Sequence, residues 1–140
     1  MSATAGPAAD SAAGRLGVRA GQAVQELGYD DDVDHDLREA VEALTGGELL
    51  DEDDQEVVDV VLLWWREDDG DLVDALVDAQ VSLADDGVVW LLTPKAGRPG
   101  HVPPSDVQEA APTAGMHLTS TVSPSRDWVA TRIVGGRTRR

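Results

Sequence analysis

Val57-Val58-Asp59-Val60-Val61-Leu62-Leu63-Trp64-Trp65 carries one polar residue in a run of β-branched, aliphatic and aromatic side chains. Such a run reads as a strand buried on both faces, the mark of a parallel sheet covered by helices. Neighbouring residues on a strand face opposite sides, so Trp64 and Trp65 are expected in different environments. Residues 66–70 form a polar turn. Asp71 then stands as a helix N-cap, and Asp74 adds negative charge to the first turn. Leu72, Ala75, Leu76, Ala79 and Leu83 form the buried stripe of that helix. Asp85-Asp86-Gly87 ends it, and residues 88–93 are the next buried strand. Strand, helix and strand in this order predict a right-handed βαβ unit with a parallel pair.

Upstream, residues 21–29 are a candidate first strand. Val33, Leu37, Ala40, Val41 and Leu44 recur on one face of a helix, and Gly46-Gly47 supply its left-handed stop. Glu48-Leu49-Leu50 reads as a short strand and residues 51–56 as an acidic connector. Downstream, Ser105 to Gln108 match a capping box opening a short helix through Ala114, with Pro112 as a kink or early stop. Residues 117–122 and 128–134 alternate in strand fashion around a Ser-Pro-rich turn, which predicts an antiparallel hairpin. Residues 1–14 read as a disordered tail, 15–134 as a single α/β domain and 135–140 as a basic tail.

The chain has 140 residues and a net charge of −16. Residues 26–86 hold 23 acids against Arg38 and Arg66, a net of −21, whereas the remainder is weakly basic. A field this negative repels nucleic acid and anionic membranes. With no Cys, disulfides, thiolate chemistry and Cys-based metal centres are excluded. No apolar run approaches the ~20 residues that cross a bilayer, and no signal-peptide pattern opens the chain. A cytoplasmic protein is expected.

Against this acidity, Trp90-Leu91-Leu92-Thr93-Pro94-Lys95-Ala96-Gly97-Arg98-Pro99-Gly100 is a small basic island after a strand. In open α/β sheets, ligands bind at the carboxyl ends of strands. Lys95, Arg98 and His101 are placed there, and Gly97 lets the loop approach a ligand. Arg66 follows the neighbouring strand. Three cations converging at one sheet edge would suit an anionic metabolite or an acidic protein segment. The competing expectation is internal pairing, of Arg66 with its acidic neighbours and of Arg98 with Asp68 or Asp106.

The order of elements over residues 57–134 resembles the second half of the Rossmann-like methyltransferase fold. A mostly parallel sheet with packed helices and a C-terminal antiparallel hairpin is what that resemblance implies. A closer likeness lies in longer words: Val24-Gln25-Glu26-Leu27-Gly28-Tyr29-Asp30, Trp64-Trp65-Arg66, Asp69-Gly70-Asp71-Leu72-Val73-Asp74-Ala75-Leu76 and Leu91-Leu92-Thr93-Pro94-Lys95-Ala96-Gly97-Arg98. Together these are similar to the actinobacterial domain-of-unknown-function 3052 family. That resemblance implies an actinobacterial source and carries no activity.

Methyltransferase chemistry needs a Gly-rich turn after the first strand and an acid that holds the cofactor's ribose. Gly28 and Glu48 are the candidates here. Tyr29-Asp30-Asp31-Asp32 stands where further glycines are expected, and residues 21–56 are too short for three βα units. Asp30, Asp32, Asp34 and Asp36 alternate like calcium ligands. The Gly and Glu places of such a loop hold His35 and Val41 in one register, Leu37 and Ala43 in the other, so no metal is expected. No catalytic Ser-His-Asp set or Gly-x-Ser-x-Gly elbow is present. The reading is a non-catalytic binding or regulatory domain presenting the basic loop. The alternative is a divergent S-adenosylmethionine-dependent methyltransferase. A third reading is an acidic protein that engages a basic partner through residues 30–86.

Overall fold

The run that opens the sequence argument is the second of five strands in a computed structural model, which describes residues 12–135. In chain order the elements are α1 (Ala12–Arg15), β1 (Val24–Leu27), α2 (His35–Thr45), β2 (Val58–Trp64), α3 (Leu72–Ala79), β3 (Leu83–Pro94), α4 (Pro104–Thr113), β4 (Met116–Val122) and β5 (Trp128–Gly135). The strands lie side by side as β1-β2-β3-β5-β4. The β1–β2 and β2–β3 pairs are parallel, and β5 runs antiparallel to both β3 and β4. This is the parallel sheet with a C-terminal hairpin that the element order predicts.

Alternation along β2 divides the core in two. Val60, Leu62 and Trp64 pack with Trp90, Leu92 and Trp128 beneath Leu37 and Val41 of α2. Val61, Leu63 and Trp65 face the other way, toward Leu76 and Ala79 of α3 and Val107, Ala110 and Ala111 of α4. A register irregularity between Val58 and Val60 puts Val58 on the face of Val61. Trp64 meets Trp128 edge-on, with ring centroids 4.8 Å apart. The Trp90 indole N–H donates to the Leu16 carbonyl at 3.0 Å, so its buried polar atom has a partner.

The helix caps follow local chemistry at α2 and α3. Asp34 accepts from the Leu37 N–H, Gly46 closes α2 at φ 85°, and Asp71 accepts from the N–H groups of Val73 and Asp74. Elsewhere the boundaries move. α3 stops at Ala79, and Leu83 belongs to β3, where it pairs with Val58. The 105–108 capping box does not form, because Pro104 starts α4 with Pro103 at the cap and no side-chain cap bond. Residues 48–50 make no strand, only a bridge from Leu50 to Gln25. Of the expected tails, residues 1–11 and 136–140 lie outside the described residues, and residues 12–14 belong to α1. No helix among the described residues is long and apolar enough to cross a membrane.

Candidate functional site

β1 and β2 are parallel and end at one sheet edge, where Gly28 follows β1 and Arg66 follows β2. Gly28 has φ 77°, and a Cβ there would sit 2.2 Å from the Trp64 carbonyl oxygen. Only glycine fits that approach. Both backbone polar atoms of Gly28 are engaged by side chains of the same chain. Its N–H donates to Glu52 Oε2 at 3.1 Å, and its carbonyl accepts from Arg66 Nη1 at 2.8 Å.

Arg66 is buried, with 8% of its surface exposed. Its guanidinium forks onto both carboxylate oxygens of Asp32. Nη1 also lies 3.2 Å from Asp69 Oδ2, and the guanidinium carbon sits 5.3 Å from the centroid of the Trp128 ring. The Arg66 hydrogen bond, with its charge, holds the Asp32 carboxyl below its usual value against a smaller desolvation effect. Burial works against the Arg66 charge, and the bonds to Asp32 and Asp69 outweigh it, raising its pKa.

On the α2 side, buried Glu26 accepts from Arg38 Nε and Nη2 at 2.6 and 2.9 Å and from the Trp64 indole N–H at 2.9 Å. The Glu26 hydrogen bond is the main cause of a raised Arg38 pKa. Arg38 also lies over the Tyr29 ring at 4.8 Å. On the α3 side, an open cleft of about 860 Å³ runs from the ends of β1 and β2 at Gly28 and Arg66 to Val81 and Ser82, just before β3. Leu27 and Leu63 lie in its floor, residues of α3 form one wall, and Glu52, Asp54 and Gln55 form the other. Tyr29, Trp65 and Arg66 border the end near Gly28.

The basic loop is differently arranged from the expected trio of cations. Arg98 Nη1 pairs with Asp127 at 3.1 Å, both side chains being partly exposed. Its partner is thus neither Asp68 nor Asp106. Lys95 donates its backbone N–H to the Asp127 carbonyl, and its side chain enters no ion pair among the described residues. His101 Nδ1 lies 3.0 Å from the Pro94 carbonyl. Gly97 has φ 88°, and a Cβ there would meet nothing within 4 Å. Gly100 packs against the Arg66 stem, where a Cβ would lie 3.0 Å from Arg66 Cβ. The loop therefore touches Arg66 while the Arg66 guanidinium is held by Asp32 and Asp69. Internal pairing describes both Arg66 and Arg98.

Glu48 and Gly28 are not brought together. After α2 the chain runs back alongside β1, with the Leu50 N–H bonded to the Val24 carbonyl and Glu52 reaching Gly28. Glu48 precedes that segment, exposed near the start of β1. Gln25, Glu26 and Glu52 are the residues sequence reasoning missed. Two consecutive polar residues inside a short buried strand were the available signal, since a buried carboxylate demands a partner, and Arg38 is one of two basic residues in the acidic half.

A family model described as a protein of unknown function, DUF3052, matches residues 13–137. Uncharacterised proteins of Mycobacterium tuberculosis and Mycobacterium bovis are each 55% identical over 131 residues, covering 94% of this chain and 82% of theirs. Among solved structures, an O-methyltransferase from neocarzinostatin biosynthesis, in complex with S-adenosylmethionine and 2-hydroxy-5-methyl naphthoic acid, matches with a TM-score of 0.64 at 14% identity. That match covers 94% of this chain and 53% of that one. The pyocyanin biosynthetic protein PhzM gives 0.63 at 14%, covering 86% and 52%. A SAM-dependent methyltransferase from Aquifex aeolicus gives 0.54 at 12%, covering 86% and 85%. The chain spans about half the length of the first two structures. At these identities the likeness shows the fold, a Rossmann-like, methyltransferase-like α/β sheet.

Proposed function

We propose, on the premise that this chain belongs to the DUF3052 family, that it is a non-catalytic binding domain on a methyltransferase-like scaffold. The observation that carries this reading is the closure of the Gly28 turn by the protein's own groups. A cofactor-binding turn of this kind needs backbone donors open to the ligand and small residues beside them. Here the Gly28 N–H is bonded to Glu52, its carbonyl to Arg66, and the space beside its Cα is filled by the Trp64 carbonyl. Tyr29 and three aspartates follow, and Glu48, the candidate ribose acid, lies toward the start of β1. These residues do not fit S-adenosylmethionine.

With Arg66 and Arg98 paired internally, an anion site on the basic loop would rest on Lys95 and His101 beside Gly97. The cleft between Glu52 and α3, about 860 Å³, includes Gly28 and Arg66 at the ends of β1 and β2, and we take it as the binding face. Calorimetry and thermal melts with S-adenosylmethionine and S-adenosylhomocysteine test the reading. No heat and no melting shift are expected. Ligand at a hundredfold over its Kd would stabilise the fold by about 2.7 kcal/mol, so micromolar binding is readily detected. Such binding would restore the enzyme alternative.

A further inference from the structure

We infer that the 860 Å³ cleft receives an arginine- or lysine-bearing apolar segment of a protein partner. This rests on the reading of the domain as a binding module and specifies what it binds.

Three features of the cleft agree. The first is apolar surface. Leu27 and Leu63 lie in the floor, while Val81 and Tyr29 at its margins are 80% and 50% exposed. Large apolar side chains left in water around a concave site fit contact with a partner.

The second feature is hydrogen-bond polarity. Asp30 and Asp78 are exposed and enter no ion pair among the described residues. Gln25 is 5% exposed and lines the cleft, and its Nε2 is bonded to the Asp51 and Asp54 carbonyls. What Gln25 retains is its acceptor oxygen. Arg66, the one cation in the lining, has its guanidinium held by Asp32, Asp69 and Gly28. Tyr29, Gln55, Trp65 and Ser82 also line the cleft and carry donors, but the charged acceptors Asp30 and Asp78 call for a cationic donor, and Lys and Arg are the side chains with several donors and no acceptor.

The third feature is the field. Residues 26–86 carry a net charge of −21, which steers a polycationic chain inward and turns nucleic acid away. Apolar margins on an open cleft distinguish a polypeptide from a small amine, which would leave Val81 and Tyr29 in water.

The test is a titration of the full 140-residue chain, ¹⁵N-labelled, with a blocked peptide that alternates leucine and arginine. Amide shifts are expected within residues 25–30, 52–55 and 75–82. At about 150 mM salt, where the Debye length is ~8 Å, Asp78→Lys should raise Kd by at least about tenfold. Glu109→Lys, the same charge change on α4 and outside the cleft, should alter it by less than about twofold. Shifts mapping elsewhere would overturn the inference. So would an equal effect of Glu109→Lys, equal binding of a glutamate-for-arginine peptide, or equal binding of spermidine at the same residues. An S-adenosylhomocysteine titration runs in parallel. Binding there would overturn the non-catalytic reading, whereas a silent S-adenosylhomocysteine arm with a silent peptide arm would overturn this inference alone.

Discussion

Arg66 Nη1 donates to the carbonyl oxygen of Gly28 at 2.8 Å, tying the end of β2 to the turn after β1. Further contacts of the same guanidinium reach Asp32, Asp69, the Trp64 carbonyl and the face of Trp128. A charge that the sequence places at a solvent-facing edge is an internal fastener for the 28–34 loop.

Arg66→Met keeps much of the stem and removes every side-chain donor, leaving the backbone N–H that donates to Asp69. Asp32 is half exposed, so water recovers part of what it loses. The expected destabilisation is about 2–3 kcal/mol, read by urea unfolding. A midpoint equal to wild type would show that the fork contributes nothing.

The same pair sets a pH dependence. The folded-state pKa of Asp32 is depressed from 3.8 by Arg66. Its contribution is complete above that unfolded value and is withdrawn as pH falls through the lower folded value. Stability should therefore decline below about pH 4, and Asp32→Asn should flatten that part of the acid limb. An unchanged acid limb in Asp32→Asn would assign the decline to other carboxylates.

Gly28 and Gly97 separate two costs. Both have positive φ, but a Cβ at Gly97 meets nothing within 4 Å, whereas at Gly28 it meets the Trp64 carbonyl at 2.2 Å. Gly97→Ala should cost about 1–2 kcal/mol for left-handed backbone alone. Gly28→Ala should cost about 3 kcal/mol or more, because backbone must shift. Equal melting temperatures for the two variants would contradict the close approach.

Trp90 is 3% exposed and bonded to Leu16. Trp90→Ala should cost ~3–5 kcal/mol by denaturant unfolding. An unchanged melting temperature would mean that the ring is not packed against Leu16 and α2.

Arg98 is half exposed and paired with Asp127. Arg98→Ala is expected to change stability by less than about 1 kcal/mol and to leave peptide binding at the cleft untouched. A weakened peptide titration would place the basic loop in the binding face.

The strands and their faces were legible because burial on a pleated sheet writes itself as alternation. Trp64 and Trp65 do face opposite sides, and the hairpin turn announced itself in Ser-Pro-Ser. Leu83 was misread because it continues the helical stripe of Leu72, Leu76 and Ala79, while pairing with Val58 draws it into β3. Ser105 has the right spacing to Gln108 for a cap, but the helix starts at Pro104 and its cap is Pro103, two residues earlier. The acidic neighbours of Arg66 were visible, and Asp69 is indeed a partner. Asp32 and Trp128 were not, since they lie 34 and 62 positions away and meet Arg66 only through the sheet. Glu52 was hidden for the same reason, because nothing local reveals that the chain after α2 returns along β1.

Trp128 Nε1 donates to the Asp32 carbonyl, and Ser125 Oγ donates to Asp34, contacts that span 96 and 91 positions. The turn before β5 and the loop after β1 are therefore tied to each other, despite lying at opposite ends of the chain, and are expected to open together. Amide protons in the two segments should exchange with a shared protection factor, and a disturbance of one should be felt as faster exchange in the other. A ligand that orders the 28–30 segment would slow exchange in the hairpin, so occupancy of the cleft would be reported at the far side of the sheet.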